Sequence, residues 1–199
     1  EECLKELSPV PDAIFIMGNH DLAIIDERYE GYMNSEAAQA IRLTRKQLSG
    51  RFDSFIEEVF KLTFREKHYC AAHGSPYKPL NFEYVYSTAE AKGVFEHIID
   101  RICFIGHTHV PIVIGEKRGV VYPHDGDVIG LDDKEKFIIN PGSVGQPRDH
   151  DPRASFCIYD TKSNSVSFFR VGYNIDVQYD RFVKRGFPIY LAERLFSGV

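Results

Sequence analysis

The sequence predicts an α/β protein in which strands covered on both faces are followed by a second sheet made of hairpins. Two observations carry this expectation. In the first half of the chain, short continuous apolar runs end in glycine and polar residues, with helix-patterned segments between them. Beyond Val110 the texture changes to β-rich pieces joined by Gly, Asn, Ser and Asp turns.

The elements follow in order. "DAIFIM" reads as a strand running into "GNHD". Asn34 or Ser35 caps a helix reaching about Gln47, and Gly50 suits its stop. "FDSFIEEVF" has helical spacing of its apolar side chains. "HYCAA" is a strand leading into "HG", and Ser87 or Thr88 caps a helix over "AEAKGVFEHII" despite its interior glycine. "RICFI" leads into "GHTH", and "KFII" into "NPGSVGQPR". "IVIGEKRGVVYP", "ASFCIYD" and "SVSFFRVGY" are the hairpin strands, with "DTKSNSV" a tight turn, and "FPIYLAERLFSG" is a short helix closing the domain.

At 199 residues the chain is expected to be a single domain, 1–199, long enough to bury a core. A net charge of −5 argues against stable nucleic-acid binding, which wants a basic face, so an anionic substrate needs local positive charge. Cys3, Cys70, Cys103 and Cys157 form no C-x-x-C pair, which suits reduced thiols and a cytoplasmic location. No apolar stretch approaches the roughly 18 residues of a membrane span.

Four strand ends deliver Asn19 and His20, His73, His107 and His109, and the stretch Asn140 to Arg148. In open α/β sheets the carboxyl ends of strands are where ligands gather. Imidazole is a general ligand for divalent transition metals. On an extended backbone the two histidines of "GHTH" lie on one side. His68, His97, His124 and His150 are read as surface or core-edge groups. "YKPLNFEYVY" reads as core packing at a domain edge, with a nucleobase-stacking wall the alternative.

"GNHD", "HG" and "GHTH", in this order, resemble the metallophosphoesterase (calcineurin-like phosphoesterase) superfamily. "NPGSVGQPRD" and "ASFCIYD" are similar to its small bacterial and archaeal phosphodiesterase or diadenosine-tetraphosphatase-like branch. The resemblance implies a four-layer α/β/β/α sandwich of two mixed sheets flanked by helices. It implies a cleft with two divalent ions (Mn, Fe, Ni, Co or Zn) about 3.5 Å apart, whose bridging hydroxide attacks phosphorus. Carried over by motif, Asn19, His73 and His107 bind one ion and His109 contributes to the other. His20 protonates the leaving group or steadies the phosphoryl oxygens, and Asp21 orients its ring. Asn19, His20 and Arg148 face the substrate, Arg148 offering a guanidinium fork, with a surface salt bridge its other reading.

The family opens with an Asp-x-His strand end and then a Gly-Asp element, neither of which precedes "GNHD" here, so the domain is expected to be N-terminally incomplete. "HDGDVIG" is read as an acidic turn, leaving Asp127 a poor substitute for the bridging carboxylate. The expected function is metal-dependent hydrolysis of a phosphodiester or phosphomonoester. The alternatives are a non-catalytic metal- or phosphate-binding module and, more weakly, a structural zinc site of His73, His107 and His109, which lacks the usual thiolates. The expected partner is a small phosphorylated substrate, a nucleotide among the options, with no membrane and an undefined oligomeric state.

Overall fold

In the computed structural model, residues 2–7 and 9–199 are described. Helix α1 (Glu2–Leu7) precedes strand β1 (Phe15–Ile16) and helices α2 (Asn19–Ile25), α3 (Ser35–Leu48) and α4 (Asp53–Val59). Strands β2 (Phe60–Lys61), β3 (Thr63–Glu66) and β4 (Tyr69–Ala72) lead to α5 (Thr88–His97) and β5 (Ile102–Phe104). Then come β6 (Pro111–Gly115), β7 (Gly119–Val121), β8 (Val128–Gly130), β9 (Phe137–Pro141), β10 (Ala154–Asp160) and β11 (Ser165–Val171). Helices α6 (Ile175–Lys184) and α7 (Ile189–Glu193) and a 3-10 turn, Arg194–Phe196, end the chain.

Six strands form the main sheet in the order β3-β4-β5-β9-β6-β7. Its centre, β4, β5 and β9, is parallel, and the outer pairings are antiparallel, so this sheet is mixed. The second sheet, β10-β11-β8, is wholly antiparallel, and β1 and β2 form a separate parallel pair. The expected α/β fold of sheets flanked by helices is present, with two corrections: the hairpin of "IVIGEKRGVVYP" (β6 and β7) joins the main sheet because β6 pairs with β9, and the second sheet is antiparallel rather than mixed.

Two cores explain the continuous apolar runs. Along β5 and β9, Cys103 and Ile138 point to a core shared with Val94, Phe95 and Ile98 at the α5 face. Their neighbours Ile102, Phe137 and Ile139 point to the opposite core, with Val166 and Phe168 of β11. A strand alternates its side chains between faces, so a strand covered on both faces must be apolar throughout. Cys70 and Cys103 are buried free thiols in register on neighbouring strands.

Local signals account for several ends. Asn34 caps α3 by accepting from the Ala37 N–H at 2.8 Å, and the chain leaves through Ser49 and Gly50, both at positive φ. Glu90 of α5 accepts from the Tyr86 and Ser87 N–H groups, each at 2.8 Å, tying down the helix entry. Helix α6 and strand β3 have no counterpart in the sequence reading. Among the described residues no helix is long and apolar enough to cross a membrane.

Candidate active site

Because β4, β5 and β9 are parallel neighbours, their carboxyl ends open on one edge of the sheet. His73 follows β4, His107 and His109 follow β5, and Asn140 lies in the last two residues of β9. The loops are stitched together there: the Gly106 N–H donates to the His73 carbonyl at 2.8 Å. Asn140, fully buried, donates from Nδ2 to the Gly106 carbonyl at 2.6 Å and to the Thr108 Oγ1 at 2.9 Å. Its Oδ1 accepts from the Gly142 N–H at 2.9 Å. Asn140 thus fixes the "GHTH" loop from beneath.

His107 and His109 converge on the cleft for a different reason from the one read in the sequence. The backbone is not extended: both residues have positive φ, 64° and 62°. This left-handed conformation disfavours residues with a Cβ. Two such residues in one loop, pinned by Asn140, form a strained segment of the kind that gathers at functional sites.

The His73 Nε2 and His107 Nδ1 stand 3.1 Å apart. The two rings are hydrogen-bonded to each other there, and the spacing also falls in the about 3.0–3.4 Å that separates two nitrogens bound to one ion at about 2.0–2.1 Å. The His109 Nδ1 meets the Gln146 carbonyl at 2.6 Å. A carbonyl only accepts, so Nδ1 carries the proton and Nε2 of the neutral ring keeps its lone pair. All three rings favour the neutral form. Burial, then His107 and His109, bring the His73 pKa down to about 3. Burial, then Arg148, lower His107 and His109 to about 4. Neutral imidazole is the form that binds metal.

"GNHD" forms the first turn of α2, with Asn19, His20 and Asp21 as its opening residues, rather than a loop. The approach of this turn to His73 requires Gly18, since an added Cβ would lie 3.0 Å from the His73 Cε1. The Gly18 N–H donates to the Asp21 Oδ2 at 2.8 Å. Among the described residues no hydrogen bond joins Asp21 to the His20 ring, and its carboxylate closes the turn through the Gly18 N–H. Desolvation raises its pKa, opposed by the Gly18 N–H. His20 is exposed on the cleft face, yet the surrounding walls desolvate its ring and, with Arg148, lower its pKa.

The sequence left Arg148 open between a substrate contact and a surface salt bridge. Among the described residues its guanidinium has no carboxylate partner. Nη2 donates to the Gln146 Oε1 at 2.8 Å, and Nε is buried without an acceptor. One cavity of about 360 Å³ is lined by Asn19, His20, His73, His107, His109 and Arg148. The structure therefore brings the sequence-derived set together, with Asp21 on the same wall.

Other residues were not recognised as site residues. Thr108 and Gln146 position the histidine loop, and Tyr84 stacks on the His107 ring with centroids 4.0 Å apart. The expectation that "YKPLNFEYVY" is core packing holds for Phe82 and Val85 but not for Tyr84 and Tyr86, which are exposed and stack on each other at 5.7 Å. His97 lies outside the cleft, stacked on Tyr77. His68, His124 and His150 are exposed and do not line it. Asp127 accepts from the His124 N–H at 2.7 Å, closing a turn.

The profile of the calcineurin-like phosphoesterase superfamily domain matches residues 1–164. The chain belongs to this superfamily. It is 33% identical over 200 residues to the uncharacterized protein MJ0912 of Methanocaldococcus jannaschii, covering 99% of this chain and 80% of that protein. A metallophosphoesterase crystal structure from Sphaerobacter thermophilus superposes with a TM-score of 0.88 at 34% identity, covering all of this chain and 82% of the other. The hypothetical protein PH1004 from Pyrococcus horikoshii OT3, at 17% identity and a TM-score of 0.77, shares the fold over all of this chain and 78% of its own.

Superfamily membership implies divalent metal, and the donors fit it in part. The His73–His107 spacing and the neutral rings suit one ion. Among the described residues no three His, Cys, Asp or Glu side chains come together around a single point, so a complete pair of metal sites is not assembled by them.

Proposed function

We propose that this calcineurin-like phosphoesterase hydrolyses small phosphate esters in a metal-dependent reaction at the cleft formed by the carboxyl ends of β4, β5 and β9. The observation that carries the reading is the His73–His107 pair, 3.1 Å apart, in a cavity that also holds His109 and an arginine with no carboxylate partner among the described residues.

His73 and His107, with the Asn19 amide, would hold one divalent ion, and His109 would serve a second through its Nε2. When bound, such ions supply Lewis acidity and lower the pKa of water. The chain's own groups do the rest. Arg148, which lines the cavity, presents its guanidinium to the non-bridging phosphate oxygens. His20, whose pKa burial and Arg148 lower, faces the same cavity, where it would donate a hydrogen bond to a phosphoryl oxygen or a proton to the leaving group. The absence of a third close ligand among the described residues favours a second reading, a metal- or phosphate-binding module without turnover.

Elemental analysis and turnover of p-nitrophenyl esters with Mn²⁺, Ni²⁺ or Co²⁺ separate the two. Chelation should abolish turnover, and His107→Ala should lower metal occupancy as well as rate. His20→Ala should keep its metal and lose about 10²–10⁴ in kcat, less for leaving groups that need no proton. Full activity after chelation would sink the proposal, and metal binding without hydrolysis would favour the module.

A further inference from the structure

The histidine cleft has a second wall, which the superfamily profile does not reach. The profile ends at residue 164, yet Phe182, Phe187, Tyr190, Leu191 and Arg194 line the same cavity as His73, His107 and Arg148. The cavity is thus polar at the strand ends and apolar along α6 and α7.

This wall is anchored rather than loosely draped. Ala192 and Leu195 are buried, and the His150 N–H donates to the Gly198 carbonyl at 2.8 Å. Gly198, at a φ of 63°, lies so close to the backbone that an added Cβ would stand 2.8 Å from the Asp151 carbonyl carbon. On the cleft side, Phe182 and Phe187 pack with centroids 5.4 Å apart, while Tyr190 is 52% exposed with the Arg194 guanidinium 5.4 Å from its ring centre. Burying half of Tyr190 against a ligand is favourable, and aromatic pairs add to that.

Arg194 extends the argument to charge. It donates to the Val199 carbonyl. Arg194 and Arg148 line the same cavity, so two positive guanidinium groups share one cleft. The carboxylates lining the same cavity are otherwise engaged: Asp21 accepts from the Gly18 N–H and Glu36 from the Ser35 hydroxyl. An anion near both arginines would offset their like charge.

We propose that residues 174–199 form the specificity wall of this site, with Tyr190 and Phe187 receiving a planar aromatic group of the substrate and Arg194 a second negative charge beside it. The proposal rests on the phosphoesterase reading, which fixes where the phosphate sits. A phosphate held at the histidines and Arg148 leaves the retained organic group of the ester, and not the departing p-nitrophenolate, against Tyr190.

The test compares esters with one leaving group, p-nitrophenolate: methyl p-nitrophenyl phosphate, bis(p-nitrophenyl) phosphate, and thymidine 5′-(p-nitrophenyl phosphate) with and without a 3′-phosphate. Tyr190→Ala should raise KM about 3- to 10-fold for the aryl and thymidine esters while changing the methyl ester less than about 2-fold, and Tyr190→Phe should behave as the unmodified protein. Arg194→Gln should raise KM selectively for the 3′-phosphorylated substrate. Equal changes across all four esters would overturn the wall. Binding is measured in parallel by titrating phenylphosphonate and methylphosphonate into the metal-loaded protein, which needs no turnover. A preference for phenylphosphonate that Tyr190→Ala removes supports the wall even where no ester is hydrolysed, an outcome that would refute only the phosphoesterase reading. Equal affinities would overturn the wall whatever the activity.

Discussion

Asn140→Asp perturbs the loop that carries His107 and His109 without changing the volume of a fully buried side chain. Asn140 Nδ2 sits 2.6 Å from the Gly106 carbonyl oxygen. An ionised aspartate would turn an oxygen toward that oxygen, whereas a protonated one could still donate to it. The Thr108 hydroxyl can rotate to donate to either form, and the Gly142 N–H keeps its acceptor. The variant's burden is therefore the buried charge. A fully buried carboxyl raises its pKa by about three units, from about 3.9 to about 7. At about 1.36 kcal/mol per unit, the deficit relative to the unmodified protein is about 4 kcal/mol at pH 8 and about 1.5 kcal/mol at pH 5. The sign follows from linkage: the folded variant holds this proton more tightly than the unfolded chain, so acidification from pH 7 restores stability. A loss near 4 kcal/mol is a large share of the 5–15 kcal/mol typical of a domain. Urea unfolding of both chelated proteins from pH 5 to 8 gives the difference directly, and metal uptake shows whether the histidine loop has moved. A pH-independent difference, or one below about 1 kcal/mol with unchanged metal affinity, would refute the role assigned to Asn140.

The unmodified, metal-free protein should show the opposite slope. His73, His107 and His109 bind protons less readily folded than unfolded, so stability is lost as pH falls below about 6.5, by at most about 1.4 kcal/mol per pH unit for each ring. His107→Asn should flatten that slope in urea midpoints measured with a chelator, and an unchanged slope would count against its buried, neutral state. Gly18→Ala places a methyl 3.0–3.2 Å from the His73 ring and the Asp21 carboxylate, which should separate the α2 turn from His73. Metal affinity should fall while the melting temperature shifts little, since only side chains are displaced; unchanged affinity would show that the approach of Gly18 is not needed.

Much of this protein was legible one residue at a time. The apolar runs at "RICFI" and "KFII" specify strands because their alternating side chains must satisfy two cores. Asn34 announces its helix because a cap is a local hydrogen bond. The strand-end histidines could be grouped because parallel strands open their carboxyl ends on one edge. Other features came only with the tertiary structure. α2 is seven residues long and α6 ten, too short to be stable alone, so packing decides whether they form. The left-handed backbone of His107 and His109 is imposed by Asn140, 33 and 31 positions further along the chain, and no propensity of "GHTH" encodes it. Tyr84 looks like a core residue in sequence because an aromatic ring fits a core or a cleft equally well, and Tyr190 reads only as part of a closing helix. That Tyr84 is instead exposed against the His107 ring, and that Tyr190 is exposed beside Arg194, is settled by where the loops and the C-terminal helices place them, and local sequence cannot express that.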